Sequence, residues 1–193
     1  MKSKNELRAK YRALRRELTA EQVESESHQI LSNFINFFES LDGISHVHLF
    51  LPIQKLNEVN TFLILDFLWS REVQVYTSIT QTNKKEMITV QLQPGEEFDL
   101  DEWGIPVPKH NEPCETDQLE MVLIPLLSVD LFGNRIGYGK GYYDQFLKGL
   151  KPSVIKVGLG FFEPEPRILE ENHDVVLDFY IWTGDIFQFA KQE

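Results

Sequence analysis

The segment at residues 119–130, LEMVLIPLLSVD, is almost continuously apolar. A strand with one face in water alternates apolar and polar residues, whereas a strand buried on both faces shows an unbroken apolar run. We therefore predict that this segment is a central strand of a sheet that is covered on both faces. Sheets of that kind are mostly parallel and belong to α/β folds.

The rest of the chain alternates between helical and strand patterns. Apolar periodicity and capping signals, such as the capping box in TAEQ at residues 19–22 with Thr19 as the N-cap, predict helices and strands in turn, with a proline- and acid-rich surface loop between two of the strands. The predicted helices cover residues 3–18, 19–41, 60–72 and 142–150, the strands 46–53, 73–79, 87–94, 153–162 and 174–182, and the loop 95–113. We expect one α/β domain spanning residues 1–193, three-layered and of the doubly wound type, with a largely parallel central sheet covered by helices on both faces. Ligands of such folds bind at loops that follow the carboxyl ends of strands.

Cysteine and histidine usage argues against a metalloenzyme of the zinc class. Cys114 is the only cysteine, so the chain has no intrachain disulfide and no thiolate zinc site. The histidines form no metal-binding spacing, and HVH at residues 46–48 fits a strand face. Apolar runs such as residues 121–127 are too short to span a bilayer, and the amino terminus has no apolar signal core. We expect a cytoplasmic protein with no membrane partner.

The charge is unevenly distributed along the chain. Residues 1–18 have a balance of +5, whereas the remainder has a balance of −16 within a net charge of −11. Most of this surface would repel nucleic acid, so we expect no nucleic-acid partner. Within the first helix, Lys4, Arg8, Arg12 and Arg15 share one sector beside an apolar sector. Periodicity alone favours a surface helix with balanced charges, and a cleft-facing basic edge or an RNA-binding patch are the alternatives.

A glycine-rich segment, GNRIGYGKGYYDQFL at residues 133–147, follows the predicted central strand. Its alternate glycines leave backbone N–H groups open to a ligand, and the helix that follows offers further donors. Arg135 and Lys140 add positive charge, and Asp144 supplies an oxygen ligand for a magnesium–phosphate complex. The spacing matches neither the P-loop nor the dinucleotide pattern, so a flexible solvated turn is the alternative. The buried strand and the two cations favour an anion site.

Taken together, these segments resemble the 5-formyltetrahydrofolate cyclo-ligase family, also called methenyltetrahydrofolate synthetase. The glycine segment is similar to that family's pattern of arginine, an apolar residue, a glycine-rich run and YYD. Lys4, Leu7 and Arg8 match its amino-terminal K-x-x-L-R. NEVNT at residues 57–61, the apolar run at 119–130 and HDVVLDFY at 173–180 resemble its other segments, so the likeness covers essentially the whole chain.

The resemblance implies a ligase of folate and one-carbon metabolism that depends on ATP and Mg²⁺. Such an enzyme converts 5-formyltetrahydrofolate to 5,10-methenyltetrahydrofolate through a phosphorylated formyl intermediate, with release of ADP and phosphate. It implies a small-molecule folate substrate. We expect a monomer, with a homodimer as the alternative.

The resemblance also implies roles for individual residues. Lys4 and Arg8 would hold ATP phosphates. Arg135 and Lys140 would be catalytic, because they would stabilise the transferring phosphoryl group. Asp144 and Asp178 would bind the metal. Glu58 would accept hydrogen bonds from the pterin, with Leu51, Trp103 and Tyr142 lining or stacking on the folate. The ATP cradle would comprise Arg135, Ile136, Gly137, Tyr138, Gly139, Lys140, Gly141, Tyr142 and Tyr143.

Three departures from the family pattern affect local contacts. Extra residues before Glu58 leave Ile53 as the alternative to Leu51, Asn60 stands where the family often has an acid, and residues 161–172 lack a common glutamine. Simpler structural roles are the alternatives for Trp103, which would pin its loop, and for Asp178, which would be an ordinary strand residue. Two other functions remain as alternatives: a nucleic-acid-binding module that uses residues 1–18, and a phosphotransferase acting on a different small substrate.

Overall fold

The computed structural model describes residues 2–81, 86–171 and 174–190. The helices are α1 Lys4–Glu17, α2 Ala20–Glu39, α3 Phe62–Ser70 and α4 Tyr142–Lys148, with a short 3₁₀ turn at Gln54–Leu56. The strands are β1 His46–His48, β2 Gln74–Gln81, β3 Glu86–Leu92, β4 Phe98–Leu100, β5 Pro106–Pro108, β6 Met121–Pro125, β7 Ser128–Val129, β8 Arg135–Ile136, β9 Ile155–Leu159, β10 Phe179–Ile181 and β11 Ile186–Gln188.

Seven of these strands form the main sheet, in the order β11-β10-β9-β6-β1-β2-β3. The strands from β10 to β2 are parallel, and the two edge strands, β3 and β11, pair antiparallel to their neighbours. Residues 121–124 of β6 are completely buried. The apolar run therefore is the central strand that the sequence predicts, and the mostly parallel α/β sheet is confirmed.

Helices cover both faces of this sheet. On one face Phe34 of α2 and Leu65 of α3 pack with Leu123 of β6 in the larger core. On the other face Leu147 of α4 packs with Ile124 in a second core. Helix α1 contributes to a third, smaller core that lies beyond the carboxyl end of β6. In the part of the chain described here, no helix combines the length and the apolar character needed to cross a membrane.

Capping side chains define where the first two helices begin. Ser3 and Thr19 each form a capping box, with Glu6 and Gln22 respectively, as the sequence predicts for Thr19. The end of α1 is held by Asn57, whose side-chain amide donates to the carbonyls of Arg15 and Leu18 at 2.8 and 3.0 Å. Asn57 has a positive φ of 48°, and this contact ties α1 to the segment that follows β1.

Several predicted strands are shorter than their apolar patterns. The ladder of β1 ends at His48, and the chain continues without regular structure to the 3₁₀ turn at Gln54–Leu56. The run at 119–130 divides after Pro125, which cannot donate to a ladder, and β7 then pairs with β8 outside the main sheet. Of the predicted strand 174–182 only β10 is in the ladder. The loop at 95–113 contains the hairpin β4–β5, and β11 was not predicted.

Candidate active site

The glycine segment, residues 133–147, is anchored at its start by buried groups. Ile136 is fully buried against α1, and its carbonyl accepts from the amide of Leu127 at 2.7 Å. The buried carboxylate of Asp130 accepts hydrogen bonds from the amides of Asn134 and Ile168 at 2.9 and 2.8 Å. The side chain of Ile136, a residue that the family resemblance assigns to the ATP cradle, therefore anchors the segment. The chain reaches the surface from residue 137 onward.

The basic edge of α1 lies directly on this segment. Arg8 Nε donates to the carbonyl of Gly137 at 3.1 Å, and Arg12 Nη2 donates to the carbonyl of Tyr138 at 3.0 Å. A Cβ atom at Gly139 would lie 3.2 Å from the Arg8 guanidinium, and Gly139 has a φ of +88°. The segment is thus a loop that is hydrogen-bonded to α1 and packs on it, and it does not extend freely into solvent. The basic edge of the helix faces it.

The other predicted cations differ in their surroundings. Lys4 is nearly buried and pairs with Asp174 at 2.6 Å and with Glu171 at 3.1 Å. Arg135 is buried, donates to the carbonyl of Val175 and pairs with Asp144. Burial lowers the pKa of Arg135, and the charge of Asp144 opposes that effect.

Positive charge at the glycine segment comes chiefly from side chains. Lys140 is exposed within the segment, and the guanidinium groups of Arg8 and Arg12 lie on its backbone at Gly137 and Tyr138. Helix α4 has only seven residues, and its N-cap Gly141 is in the left-handed conformation and provides no side-chain cap. Because so short a helix has few aligned peptide dipoles, the cations and the open backbone are the features suited to a polyanion.

Glu58 lies in a buried polar cluster beside the glycine segment. Its Oε2 accepts from the amide of Ile53 at 2.7 Å, its Oε1 accepts from the hydroxyl of Tyr138, and Arg15 Nη1 is 3.9 Å from Oε1. Burial raises the pKa of the Glu58 carboxyl, while the charge of Arg15 and the hydrogen bonds from Tyr138 and Ile53 act in the opposite direction. Carboxyl groups whose pKa is shifted by burial and by a specific charge partner are common at functional sites, although structural ion pairs show the same shifts.

The two adjacent tyrosines at the start of α4 face different surroundings. Tyr143 packs against both main cores, and its pKa is raised by burial and by the charge of Glu58. Tyr142 lines a cavity of about 240 Å³ with residues such as Met87 and Gln145. The structure therefore places Tyr143, rather than Tyr142, on the inner side of α4. The assignment of Tyr142 to the folate stays a prediction.

The apolar residues that were predicted to contact the folate also lie in different surroundings. Leu51 is buried in the larger core, so its side chain stabilises the fold, and Ile53 contributes its amide to Glu58. Trp103 is 55% exposed in the turn between β4 and β5. A Cβ at the neighbouring Gly104 would lie 3.3 Å from Lys55 Nζ, so this turn packs on the 3₁₀ turn that precedes Glu58. The exposed Trp103 ring therefore lies at the same edge of the sheet as Glu58.

The two predicted metal ligands lie in different environments. Asp144 is partly exposed and pairs with Arg135. Asp178 precedes β10, where its Oδ2 accepts from the amide of Lys156 at 2.8 Å and pairs with Lys156 Nζ at 2.9 Å. It therefore lies at the amino ends of the parallel strands, beside a cavity of about 560 Å³, whereas Glu58 lies beyond the carboxyl end of β1. The arrangement does not bring Asp178 to the Glu58 edge.

Sequence reasoning missed Arg15 and Asp174 as parts of this site. Arg15 belongs to the basic sector of α1, but its side chain is only 5% exposed and donates to the carbonyl of Leu126 at 2.5 Å. Position within that sector was the available signal, although periodicity cannot show which arginine is buried. Asp174, the partner of Lys4, carried no signal beyond its charge, since the contact joins distant parts of the chain.

The fold and the site together define an α/β protein in which open backbone and cations, features suited to a polyanion, lie at the carboxyl edge of the sheet next to a buried carboxylate. A family model described as the 5-formyltetrahydrofolate cyclo-ligase family matches residues 1–182. The chain belongs to the 5-formyltetrahydrofolate cyclo-ligase family, a family of ligases.

Individual relatives agree with this assignment. The chain is 25% identical over 185 residues to a 5-formyltetrahydrofolate cyclo-ligase of Haemophilus influenzae, covering 94% of this chain and 97% of that protein. It is 29% identical over 190 residues to the mouse (Mus musculus) 5-formyltetrahydrofolate cyclo-ligase, covering 91% of each.

Solved structures share the fold. A 5,10-methenyltetrahydrofolate synthetase from Mycoplasma pneumoniae superposes with a TM-score of 0.77 at 24% identity, covering 94% of this chain and 99% of that one. The NMR structure of the Aquifex aeolicus 5,10-methenyltetrahydrofolate synthetase gives a TM-score of 0.80 at 24% identity, covering 98% of this chain and 94% of that one.

Proposed function

We propose that this protein catalyses the ATP- and Mg²⁺-dependent cyclisation of 5-formyltetrahydrofolate to 5,10-methenyltetrahydrofolate, with release of ADP and phosphate. Family membership supports the reaction. The observation that carries the proposal is that the glycine segment contacts both the basic edge of α1, through Arg8 and Arg12, and Glu58, through Tyr138. The candidate phosphate site and the candidate pterin site would therefore be adjacent, as the transfer of a phosphoryl group to the folate requires.

The triphosphate would lie over residues 137–141, where open amides and side-chain cations converge. Arg8 already lies on this backbone, and Lys140 is exposed within it. Lys4 would contribute by exchanging its partners Asp174 and Glu171 for a phosphate. Fixed donors around a triphosphate position it and need little reorganisation during the reaction.

Asp144 is a suitable magnesium ligand among the described residues. Mg²⁺ commonly takes one or two protein carboxylates and fills its remaining positions with phosphate oxygens and water, and the partly exposed Asp144 beside the glycine segment fits that pattern. The bound ion would neutralise phosphate charge. We do not include Asp178, because it lies at the other edge of the sheet, paired with Lys156.

The chemistry requires the formyl oxygen to become a good leaving group. The formyl oxygen attacks the γ-phosphorus of ATP, the bond to the β–γ bridging oxygen breaks, and ADP departs. The bridging nitrogen of the folate then adds to the formyl carbon and loses its proton to water, and phosphate leaves with the C–O electron pair. Arg135 and Lys140 would stabilise the charge on the transferring group, and Glu58 would hold the pterin through its N–H donors.

The test is a methenyl-formation assay with purified protein. We expect the absorbance of the methenyl product to rise only when ATP, Mg²⁺ and 5-formyltetrahydrofolate are all present, with one ADP formed for each product. Absence of ATP-dependent product formation would overturn the proposal. ATP hydrolysis stimulated by another small acid, and not by the folate, would instead identify a phosphotransferase. Salt-sensitive RNA binding that survives Lys140→Ala would indicate the nucleic-acid-binding alternative.

A further inference from the structure

A directed chain of hydrogen bonds joins Arg15, Tyr138 and Glu58 in the interior of the site. Arg15 Nη1 donates to the hydroxyl oxygen of Tyr138, and that hydroxyl donates to Oε1 of Glu58. The side chains of Arg15 and Glu58 are only 5% and 4% exposed. The Tyr138 hydroxyl thus occupies the position between a buried cation and a buried carboxylate, accepting from one and donating to the other.

Arg15 has more hydrogen-bonding capacity than its surroundings use. Its Nη2 donates to the carbonyl of Leu126, but its buried Nε has no hydrogen-bond partner among the residues that the structure describes. Most buried polar atoms in proteins are paired, so an orphaned donor next to a ligand site needs an explanation. Placing a guanidinium here is also costly unless its donors are used.

The substrate of the proposed reaction has an edge that matches this cluster. The 2-amino-4-oxo ring of a pterin carries N–H donors directly beside a carbonyl oxygen. A carboxylate accepts from such donors, and a guanidinium donates to such an oxygen. The Tyr138 hydroxyl offers the same two functions in a single atom.

We propose that Arg15 is a substrate-binding residue which, with Glu58, recognises the donor–acceptor edge of the pterin, and that the Tyr138 hydroxyl holds this position until folate displaces it. This inference rests on the proposed function. Arg15 contacts the 4-oxo oxygen, and Glu58 contacts the neighbouring N–H groups.

The experiment compares two ligands that differ in the group at position 4 of the ring, where replacing the oxo oxygen by an amino group also removes the hydrogen from N3. The change at N3 is the same for every variant, so the effect of a variant on the ratio reports the contact at position 4. Dissociation constants are measured by calorimetry at pH 8, without nucleotide, for 5-formyltetrahydrofolate and for its 4-amino counterpart. Arg15 can donate to the 4-oxo oxygen but not to an amino group, so it contributes to the ratio of the two constants. Both ligands are measured on one preparation, so any loss of folded protein cancels from the ratio.

Four variants distinguish the contributions of Arg15 and Tyr138 to ligand binding. Relative to wild type, Arg15→Met should shift the ratio at least about tenfold toward the 4-amino ligand, the size expected for one charged hydrogen bond. Arg15→Lys should retain part of the preference, because an ammonium group still donates. Arg16→Met, an exposed change on the same helix, should leave the ratio unchanged. Tyr138→Phe should lower the dissociation constants of both ligands by the same factor, about threefold to tenfold, because the competing hydroxyl is gone.

An unchanged ratio in Arg15→Met would overturn the role of Arg15, and weaker folate binding in Tyr138→Phe would overturn displacement. If wild type binds both ligands with the expected dependence on Arg15 but forms no methenyl product, the proposed reaction fails while this inference stands. If product forms and the ratio does not depend on Arg15, only the inference fails. Failure of wild type to bind either ligand overturns both.

Discussion

The guanidinium of Arg8 packs on the backbone of Gly139, so closely that an added Cβ would lie 3.2 Å from it. Gly139 also has a φ of +88°, a conformation that residues with side chains rarely adopt. Helix α1 and the glycine segment are therefore fitted to each other at this point. The absence of a side chain at residue 139 lets a cation of α1 lie beside the open amides of the segment.

Gly139→Ala should weaken ATP binding. The new methyl group would displace Arg8 and strain the backbone, which costs about 1 kcal/mol of stability, and we expect the KM for ATP to rise about tenfold or more. The control is Gly43→Ala, since Gly43 has a φ of +76° with no atom within 4 Å of an added Cβ. Steady-state kinetics and urea unfolding would show similar stability losses but a KM effect only at residue 139. Equal KM values in the two variants would contradict this packing role.

Lys140→Ala should remove activity without affecting the fold. Lys140 is exposed, so its side chain contributes little to stability, whereas loss of the charge that we propose stabilises the transferring phosphoryl group should lower kcat by about 100-fold or more. Lys148→Ala, an exposed change at the end of α4, is the matched control. The measurements are kcat and the melting temperature of both variants. Wild-type kcat in Lys140→Ala would exclude a catalytic role for this residue.

His48 should make the folded state sensitive to mild acid. The ring is fully buried, with Nε2 2.7 Å from Ser78 Oγ, and burial lowers the pKa of His48 to about 3 from 6.5. Because only the unfolded chain takes up a proton between these values, the stabilisation is present above pH 6.5 and is lost as the pH falls. Between pH 7.5 and pH 5 the loss should be about 2 kcal/mol.

Urea unfolding at the two pH values checks the effect of His48. His48→Gln should reduce the difference in unfolding free energy between pH 7.5 and pH 5 by about 2 kcal/mol. His28→Gln, at an exposed position on α2, should keep the wild-type difference. The same pH dependence in all three proteins would contradict the assignment.

Much of the fold could be predicted because its determinants are local in sequence. The unbroken apolar run identified β6, and the signal at Thr19 located the start of α2. Strand lengths could not be predicted, since apolar character persists where the chain leaves the sheet. Leu126 and Leu127, for example, remain buried beyond β6. The edge strand β11 lies in a segment without strong alternation and is defined by its pairing with β10.

The site was predictable only as far as its residue types were informative. Glycines and cations indicated an anion site, which stays a prediction, and the structure places Arg8 against the glycine segment. Contacts between distant segments could not be predicted, because they depend on how the elements pack. Tyr138 reaches Glu58 across 80 positions of sequence, and Arg15 reaches Tyr138 across 123. The same limit explains Asp178, whose sequence position does not reveal which edge of the sheet it occupies.

The most direct test of the account is where the nucleotide binds, followed by ¹H–¹⁵N NMR during titration with ADP and Mg²⁺. We expect the largest shift changes at the backbone amides of residues 137–141 and at the side-chain Nε of Arg8. Changes concentrated around Ile155 and Phe179, at the cavity on the opposite edge of the sheet, would contradict the central claim that the glycine segment holds the phosphates.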